Sequence, residues 1–433
     1  MEEKDGQAAE NSEYDSNFNK FVIKEILDRV GFGFASQQFI NVLLFLSGAG
    51  IFFVGIVNGL RAIVGMIAGI LLEEYNKTSM IGKKAVGLGG IVFGFSFLLM
   101  SAGRFLSSPL IFSLAIILGG ISLAVYGFSQ NIFGVGKKRN ILEKIAKYGL
   151  MVTALSLLIS AFVMDKYGPD TAFLVSLFGK LAVIKMPGYL ISFEIAAVSF
   201  IVSGYFLASA KPGGIRAQET PQNLFFSSFK QSLGSILQNR MLVALAIFSI
   251  ISGILQVVGN SFYGIFIYQN FNETNFGGFM NVAVVFLIGI FSSLVGYFIT
   301  KLNTKEYNPI FMLFIGGLFL SLMPFAYYKN FNSLAILTAG TIFGIIGSSA
   351  MAISTNMIVI NSLSEEHRKN YYLLNGLISV IPYLIFVPVL SYIGQMFQLR
   401  FLFLALGSFM ALSAFSILIF YSFSRKQNMG LGH

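Results

Sequence analysis

The sequence of 433 residues predicts an all-α membrane protein with twelve transmembrane helices in two six-helix halves. Three observations support this fold class: long apolar stretches recur along the chain, the composition is unusually apolar, and the basic residues are unevenly distributed. About 20 apolar residues form a helix that crosses a hydrocarbon core of roughly 30 Å with its backbone groups bonded internally. We predict spans at 21–46, 51–73, 85–103, 109–134, 145–164, 188–209, 241–268, 276–301, 308–328, 333–361, 370–394 and 398–423.

The composition argues against a water-soluble globule of this size. Hydrophobic residues make up 55% of the chain and charged residues 11%, so little polar protein remains outside the bilayer. The chain has no Cys and only two His residues, His367 and His433. These counts leave no basis for a disulfide, a thiolate metal site or a histidine metal cluster, and we expect no metal and no cofactor.

The net charge of +10 is interpreted through the positions of the basic residues. With both termini placed inside, 21 of the 29 Lys and Arg residues fall on the inner side, six fall outside, and Arg29 and Arg61 lie within spans. This asymmetry is typical of a membrane protein with cytoplasmic termini. The basic excess is therefore a topology signal, and we expect a cell-membrane protein that does not bind nucleic acid.

Polar segments set the predicted domain boundaries. Residues 1–20 are acidic and lack the features of a cleaved signal peptide, so we expect a disordered cytoplasmic tail before an uncleaved first span. Six-helix bundles are predicted at 21–210 and 241–424, and residues 425–433 form a second tail. The linker, 211–240, contains apolar residues at helical spacing, which predicts an amphipathic helix on the inner membrane face.

Residues 165–187 are too polar to span a membrane and too apolar to form a free loop. We expect an outer helix or hairpin packed over the first half. Two roles stay open for this segment, namely packing at the membrane interface and a lid over the substrate path.

The two halves resemble each other weakly. Residues Gly69–Glu73 close the second span, and Gly296–Lys301 close the eighth, which is the corresponding position of the second half. Repeated halves related by a pseudo-twofold axis build a central site at their interface in many secondary transporters. Glycines at close spacing on spans three and ten predict close helix approach, namely Gly87, Gly90, Gly94, Gly340, Gly344 and Gly347.

Three segments carry a family resemblance. The first lies between spans two and three and contains Gly69, Glu73, Glu74, Gly82, Lys83 and Lys84. The others are Leu363–Arg368 with Asn375-Gly376, and Leu233–Arg240 leading into span seven. With twelve spans and a central linker, these segments make the chain similar to the major facilitator superfamily (MFS) of transporters over residues 20–425.

The resemblance implies a gate. In this family the loop between spans two and three braces the cytoplasmic side, which assigns gating roles here to Gly69, Glu73, Lys83 and Lys84. Departures from the family pattern are that Glu73 stands for an aspartate, Glu74 stands for a basic residue, and residues 76–81 are inserted. The glycine-proline signature of multidrug antiporters is missing from span five, which argues against a typical proton-coupled drug exporter.

Ionisable residues within spans are costly and mark functional sites by default. Arg61 lies about 12 residues from the inner end of span two, roughly 18 Å up and near the midplane. Three interpretations stay open: the guanidinium binds an anionic group of the substrate, it forms a fixed pair with Asp28 or another carboxylate, or it reaches the lipid surface.

Two carboxylates are candidates for proton coupling. Asp28 lies on span one near its inner end, while Glu25 and Arg29 are spaced to neutralise each other. Glu194 enters span six from the outer side by about six residues. A carboxylate that changes its exposure between two transporter states can carry a proton, and the alternative for Glu194 is a hydrated residue at the outer mouth.

Uncharged polar residues complete the predicted substrate path. In the MFS fold, spans one, four, seven and ten line this path. Asn and Gln residues also bond neighbouring helices, so we expect about half of the candidates to have that role. The substrate-binding candidates besides Arg61 are Gln37, Gln38, Asn41, Asn58, Gln130, Gln256, Asn260, Tyr263, Asn356 and Tyr383.

The leading hypothesis is a monomeric secondary active transporter, coupled to protons, whose substrate is anionic, zwitterionic or amphipathic. An uncoupled facilitator and a drug or lipid exporter of the same fold are alternatives. Small extramembrane parts argue against a scaffold or receptor, and the lack of a clustered nucleophile or acid–base set argues against an enzyme. No GxxxxGK[ST] loop is present to bind ATP. The expected partners are the lipid bilayer, a small-molecule substrate and protons.

Overall fold

The structure, a computed structural model, describes residues 19–77, 83–127, 139–177, 180–209, 234, 237, 239–274, 276–301, 308–329 and 332–430. Their helices and strands are, in chain order, α1 (19–34), α2 (Gln37–Leu46), α3 (Ile51–Lys77), α4 (Lys83–Phe105), α5 (Pro109–Tyr126), α6 (Arg139–Lys166), β1 (Ala172–Leu177), β2 (Lys180–Lys185), α7 (Gly188–Ala208), α8 (Arg240–Phe271), α9 (Gly278–Lys301), α10 (Pro309–Lys329), α11 (Leu334–Ser362) and α12 (Glu365–Gly430).

The predicted helical membrane protein is confirmed, and the strands β1 and β2 are the exception to the all-α class among the described residues. Among the described residues, nine helices are long and apolar enough to cross a membrane, and a shorter apolar helix covers Gly278–Ser292. The segment Asn370–Tyr421 is 52 residues long and is interrupted at Gln398, where φ is 71°. It therefore has room for two crossings of about 20 residues each. The predicted number of twelve spans and the pseudo-twofold symmetry remain predictions.

The first predicted span is interrupted. α1 ends at residue 34 and α2 begins at Gln37, because the extended backbone of Ser36 (φ −63°, ψ 147°) stops the helix. The Ser36 hydroxyl accepts a hydrogen bond from the Phe39 amide at 3.4 Å, as an N-cap residue does. A long apolar run does not reveal such a break, so the sequence predicted one continuous helix.

Residues 165–187 contain a β-hairpin. The sequence allowed either a helix or a hairpin here, and the structure has the hairpin. β1 and β2 pair antiparallel, with Ala172 opposite Lys185 and Leu177 opposite Lys180. The hairpin base is closed where the Met186 amide donates to the Thr171 carbonyl at 2.9 Å. Its predicted role as a lid remains a prediction.

The described residues form two units. The first takes those within Met1–Ala49, Leu60–Thr220 and Asn272–Ala283, and the second takes those within Gly50–Gly59, Pro221–Phe271 and Val284–His433. The first residues of α3 therefore belong to the second unit, and those of α9 belong to the first. Residues 1–18 of the predicted tail at 1–20, and nearly all of the predicted amphipathic linker helix, lie outside the described residues, while residues 19 and 20 belong to α1.

Glycines allow close helix contacts within each unit. In the first unit, a Cβ added at Gly87 would lie 2.6 Å from the Cβ of Ala208, and one at Gly204 would lie 2.6 Å from the Gly87 carbonyl oxygen. In the second unit, a Cβ at Gly347 would lie 2.5 Å from the Gly316 oxygen. The predicted close approach at Gly87 and Gly347 is confirmed, since only a residue without Cβ fits there.

Candidate functional site

A buried cluster of charged groups lies on α1 in the first unit. The Lys24 Nζ lies 2.7 Å from the Asp28 Oδ2 and 2.9 Å from the Glu25 Oε1. The other Asp28 oxygen, Oδ1, accepts hydrogen bonds from the Tyr126 hydroxyl at 2.7 Å and the Ser203 hydroxyl at 2.6 Å. Lys24 and Asp28 are only 3% and 5% exposed. Both charges are therefore held by partners rather than by solvent.

Three helices bring this cluster together. Lys24 and Asp28 are four residues apart on α1 and so share one helix face. Tyr126 ends α5 and Ser203 lies on α7. The Lys24 ammonium also lies 4.9 Å from the centre of the Tyr126 ring, a cation–π distance.

The sequence missed part of this arrangement. It paired Glu25 with Arg29, whereas Glu25 pairs with Lys24 in the structure. The side chain of Arg29 instead crosses Gly149, whose added Cβ would lie 3.1 Å from the Arg29 Nε. In the sequence, Tyr126 and Ser203 are each only a polar group in an otherwise apolar span. An apolar span does not show which helices pack together, so their contact with Asp28 could not be predicted.

Arg61 on α3 differs from these charges because it has no polar partner among the residues that the structure describes. It is partly buried, and within the described residues it makes no hydrogen bond and no ion pair. Gly120 on α5 makes room for its stem, since a Cβ there would lie 2.9 Å from the Arg61 Cγ. The hypothesis of a fixed pair with Asp28 does not hold in this structure, because Lys24, Tyr126 and Ser203 occupy the Asp28 oxygens.

An unpartnered guanidinium in a membrane helix offers up to five N–H donors to a ligand in a planar fork that fits a carboxylate or phosphate. A charge at this depth is costly unless something compensates it. Of the three sequence-based interpretations of Arg61, contact with an anionic substrate group is the one that an unpaired guanidinium favours.

Replacing Gly120 by alanine is expected to slow the transport that the sequence predicts by roughly tenfold to a hundredfold. The new Cβ would lie 2.9 Å from the Arg61 Cγ and 3.3 Å from the Arg61 carbonyl oxygen, so the side chain must shift. Initial uptake rates in proteoliposomes measure the effect. Gly65→Ala is the matched control on α3, because no atom lies within 4 Å of its added Cβ. Equal rates for both variants would contradict the expectation.

Two of the remaining candidates of the first unit are joined by a hydrogen bond. Gln37 donates to the Asn41 Oδ1 at 3.2 Å on α2. Glu194 is partly buried on α7 and makes no hydrogen bond or ion pair within the described residues. Gln38 is buried on α2. The proton-coupling roles of Asp28 and Glu194 stay predictions.

Four candidates of the second unit have polar contacts or remain accessible. Asn58, at the start of α3, donates to the Val54 carbonyl at 3.1 Å. The Gln256 Oε1 accepts a hydrogen bond from the Ser348 hydroxyl at 3.4 Å, which links α8 to α11. Asn260 is exposed. The Asn356 Oδ1 accepts from the Tyr372 hydroxyl at 2.6 Å.

Two tyrosines of the second unit are buried. The Tyr263 ring stacks on Phe403 at 5.2 Å and lies 4.5 Å from Tyr327. The Tyr383 hydroxyl packs against Gly253 on α8. The helical spacing predicts Tyr263 on the same helix face as Gln256, as a candidate for the substrate path. In the structure the Tyr263 ring packs among aromatic side chains.

The proposed gate is described only in part. No atom lies within 4 Å of a Cβ added at Gly69, and Lys84 is exposed. The side chains of Glu73 and Lys83, and all of Gln130, lie outside the described residues. Their assigned roles stay predictions. The structure describes no group of three metal-ligating side chains among the residues that it covers.

Comparison with known proteins was made on sequence and on fold. No family model and no curated protein matches the sequence. The nucleoside transporter NupG is similar in structure, with a TM-score of 0.70 at 13% identity over 93% of this chain and 98% of that one.

Two further solved structures are similar over nearly their whole length. A D-xylose-proton symporter has a TM-score of 0.62 at 14% identity, covering 92% of this chain and 96% of its own. The POT family transporter PepTSo has a TM-score of 0.64 at 9% identity, covering 95% and 98%.

These likenesses define the chain as a protein with a polytopic membrane transporter fold. This is the fold of these transporters, and the resemblance carried by the sequence segments between spans two and three and around residues 363–376 predicted it.

Proposed function

We propose that this protein is a secondary active transporter that moves a small anionic or zwitterionic molecule across the cell membrane. The observation that carries the proposal is the guanidinium of Arg61, which lies in a membrane helix of a transporter fold without a protein partner among the described residues. A ligand that supplies a carboxylate or phosphate would satisfy its N–H donors and neutralise its charge.

The transport cycle in this proposal is alternating access. Twelve spans form two six-helix halves related by a pseudo-twofold axis, and a central site between them faces each side in turn. Protons drive the cycle, with Asp28 and Glu194 as the carboxylates that gain and lose them. An uncoupled facilitator of the same fold is the alternative, and accumulation against a gradient distinguishes the two.

Uptake into proteoliposomes tests the proposal. The substrates of the similar structures, a nucleoside, D-xylose and peptides, supply the neutral and zwitterionic members of a panel, and small carboxylates and phosphate esters supply the anionic members. We expect saturable uptake of an anionic or zwitterionic compound that a proton gradient increases and a protonophore abolishes. The proposal would be contradicted if, for every compound, vesicles with the protein took up no more than protein-free vesicles.

Single cysteines test the proposed topology, because the native chain has none. Cysteines placed at Lys84, Lys138, Ser227 and Glu365 should react with an impermeant maleimide only from the cytoplasm, and those at Lys180, Asn272 and Lys329 only from outside. The physical reason is the asymmetry of basic residues about the membrane. Labelling of position 138 from outside would overturn the assignment.

A further inference from the structure

Several of the described helices have a side chain that caps their first turn. In most of them this side chain belongs to the residue directly before the helix. A first turn leaves N–H groups unbonded, and the N-cap side chain normally accepts from the second or third of them. Ser36, Ser108, Asn239 and Asn308 do this for α2, α5, α8 and α10. α3 and α9 begin differently, because the residue before each of them is a glycine, Gly50 or Gly277.

The first turn of α9 is capped by Asp165, which lies near the end of α6. The Asp165 Oδ1 accepts a hydrogen bond from the Phe279 amide at 2.9 Å, and its Oδ2 accepts from the Met280 amide at 2.7 Å. Gly277 leaves the space for this carboxylate, since a Cβ there would lie 2.8 Å from the Asp165 Oδ2. The φ of Gly277 is +111°, a conformation that other residues rarely adopt.

The first turn of α3 is capped in the same manner by Gln395 of α12. The Gln395 Oε1 accepts from the Phe52 amide at 3.0 Å, and an added Cβ at Gly50 would lie 3.4 Å from that oxygen. Gln395 and Phe52 are 343 positions apart in the chain, and Asp165 and Phe279 are 114 positions apart. Two helices thus receive their N-caps from a distant helix.

The two caps occupy equivalent places in the proposed topology. α6 is the fifth span of the first half, and the part of α12 before Gln398 is the fifth span of the second half. α3 and α9 are the second spans of the two halves. Each cap therefore joins the outer end of a fifth span to the outer start of a second span in the opposite half.

We infer that Asp165 and Gln395 are a pair of latches that hold the outer side of the transporter closed. The inference rests on the proposed alternating access, in which these outer helix ends separate. A helix capped by its own residue stays capped in every state, whereas α3 and α9 lose their caps when α6 and α12 move away. Opening then leaves first-turn N–H groups to water.

The Asp165 latch is the stronger of the two. Its carboxylate makes two hydrogen bonds and lies at the positive end of a helix, whereas the neutral Gln395 amide makes one. Lys166, the nearest cation in sequence, does not compete, because its Nζ lies over the rings of Phe162 and Tyr167 at 5.4 and 5.6 Å. The carboxylate is thus directed to α9.

Spin-label distances test the latches in the full-length protein in nanodiscs. Cysteines introduced at the exposed Lys166 and Glu273 carry one label pair, and those at Phe53 and Met396 carry the other. Asp165→Ala should raise the long-distance population of the first pair by roughly fivefold, the effect of losing one N-cap. Asp170→Ala, an exposed carboxylate close by, is the matched control and should change nothing.

A rescue variant separates a latch from a simple helix cap. In Gln395→Ala, the additional change Gly50→Ser gives α3 an N-cap of its own. We expect this double variant to regain the melting temperature while the second label pair keeps its longer distances. Return of the short distances would show that Gln395 only caps the helix and would overturn the inference, as would unchanged distances in Asp165→Ala with Gln395→Ala.

The distances are measured without substrate, so the two proposals fail separately. Shifted distances in a protein that transports no compound would remove the proposed function and retain the latches. Unchanged distances in a protein with normal transport would remove the latches alone.

Discussion

Replacement of Arg61 by alanine is expected to abolish transport and leave a folded, monodisperse protein. The guanidinium has no protein partner to lose among the described residues, so folding does not depend on a contact with it. Each hydrogen bond to a charged group contributes about 1.5–3 kcal/mol, and loss of a two-pronged contact therefore lowers uptake by about a hundredfold or more. Initial uptake rates and melting temperature are the two measurements.

Two variants sharpen this test. Arg61→Lys should restore transport poorly, because an ammonium keeps the charge and lacks the planar pair of donors. Arg29→Ala is the control, because Arg29 is another arginine of the first predicted span and its side chain also lies against a glycine, Gly149. This variant should retain uptake. Full transport by Arg61→Ala would refute the substrate contact, and a collapse of its melting temperature would turn Arg61 into a structural residue.

Loss of the Asp28 carboxylate is expected to have the largest effect on stability. Asp28→Ala leaves the Lys24 ammonium buried with one carboxylate partner, Glu25, instead of two. Removal of one member of a buried ion pair costs about 3–5 kcal/mol, and the remaining Glu25 places the expected loss near 3 kcal/mol. Thermal unfolding in detergent measures it. Glu25→Gln should cost less, because Asp28 keeps its bond to Lys24.

A double variant checks the cause of that loss. Lys24→Met with Asp28→Leu removes both charges and fills the space with apolar side chains, so it should recover most of the stability. No recovery would show that the Tyr126 and Ser203 hydrogen bonds, rather than the unpaired charge, cause the loss. Asp28→Asn tests proton coupling separately: exchange of substrate should continue while accumulation against a gradient stops, and accumulation at the normal level would contradict coupling through Asp28.

Hydropathy predicted where most of the helices lie, because the length of an apolar run is what the bilayer selects. It could not detect the break at Ser36, since only the backbone of one residue departs from the helix there. The hairpin at 172–185 was open to two structures, because an apolar segment shorter than a span fits either one.

The site residues divide in a similar way. Arg61 and Asp28 stood out in the sequence because charges are rare within spans. Whether a charge has a partner depends on helices far along the chain. The sequence therefore could not show that Asp28 has hydrogen-bond partners and that Arg61 has none among the described residues. The caps from Asp165 and Gln395 were likewise hidden, although glycine before a helix start was visible at Gly50 and Gly277.

The interrupted first span bears on how the chain enters the membrane during synthesis. α1 and α2 are about 24 and 15 Å long at 1.5 Å per residue, so neither crosses a core of roughly 30 Å alone. α1 also carries the charges of Lys24, Asp28 and Arg29, which oppose its insertion until partners are present. Tyr126 and Ser203 leave the ribosome about a hundred residues or more after Asp28. We therefore expect α1 to settle in the bilayer only after α5 and α7 have been made.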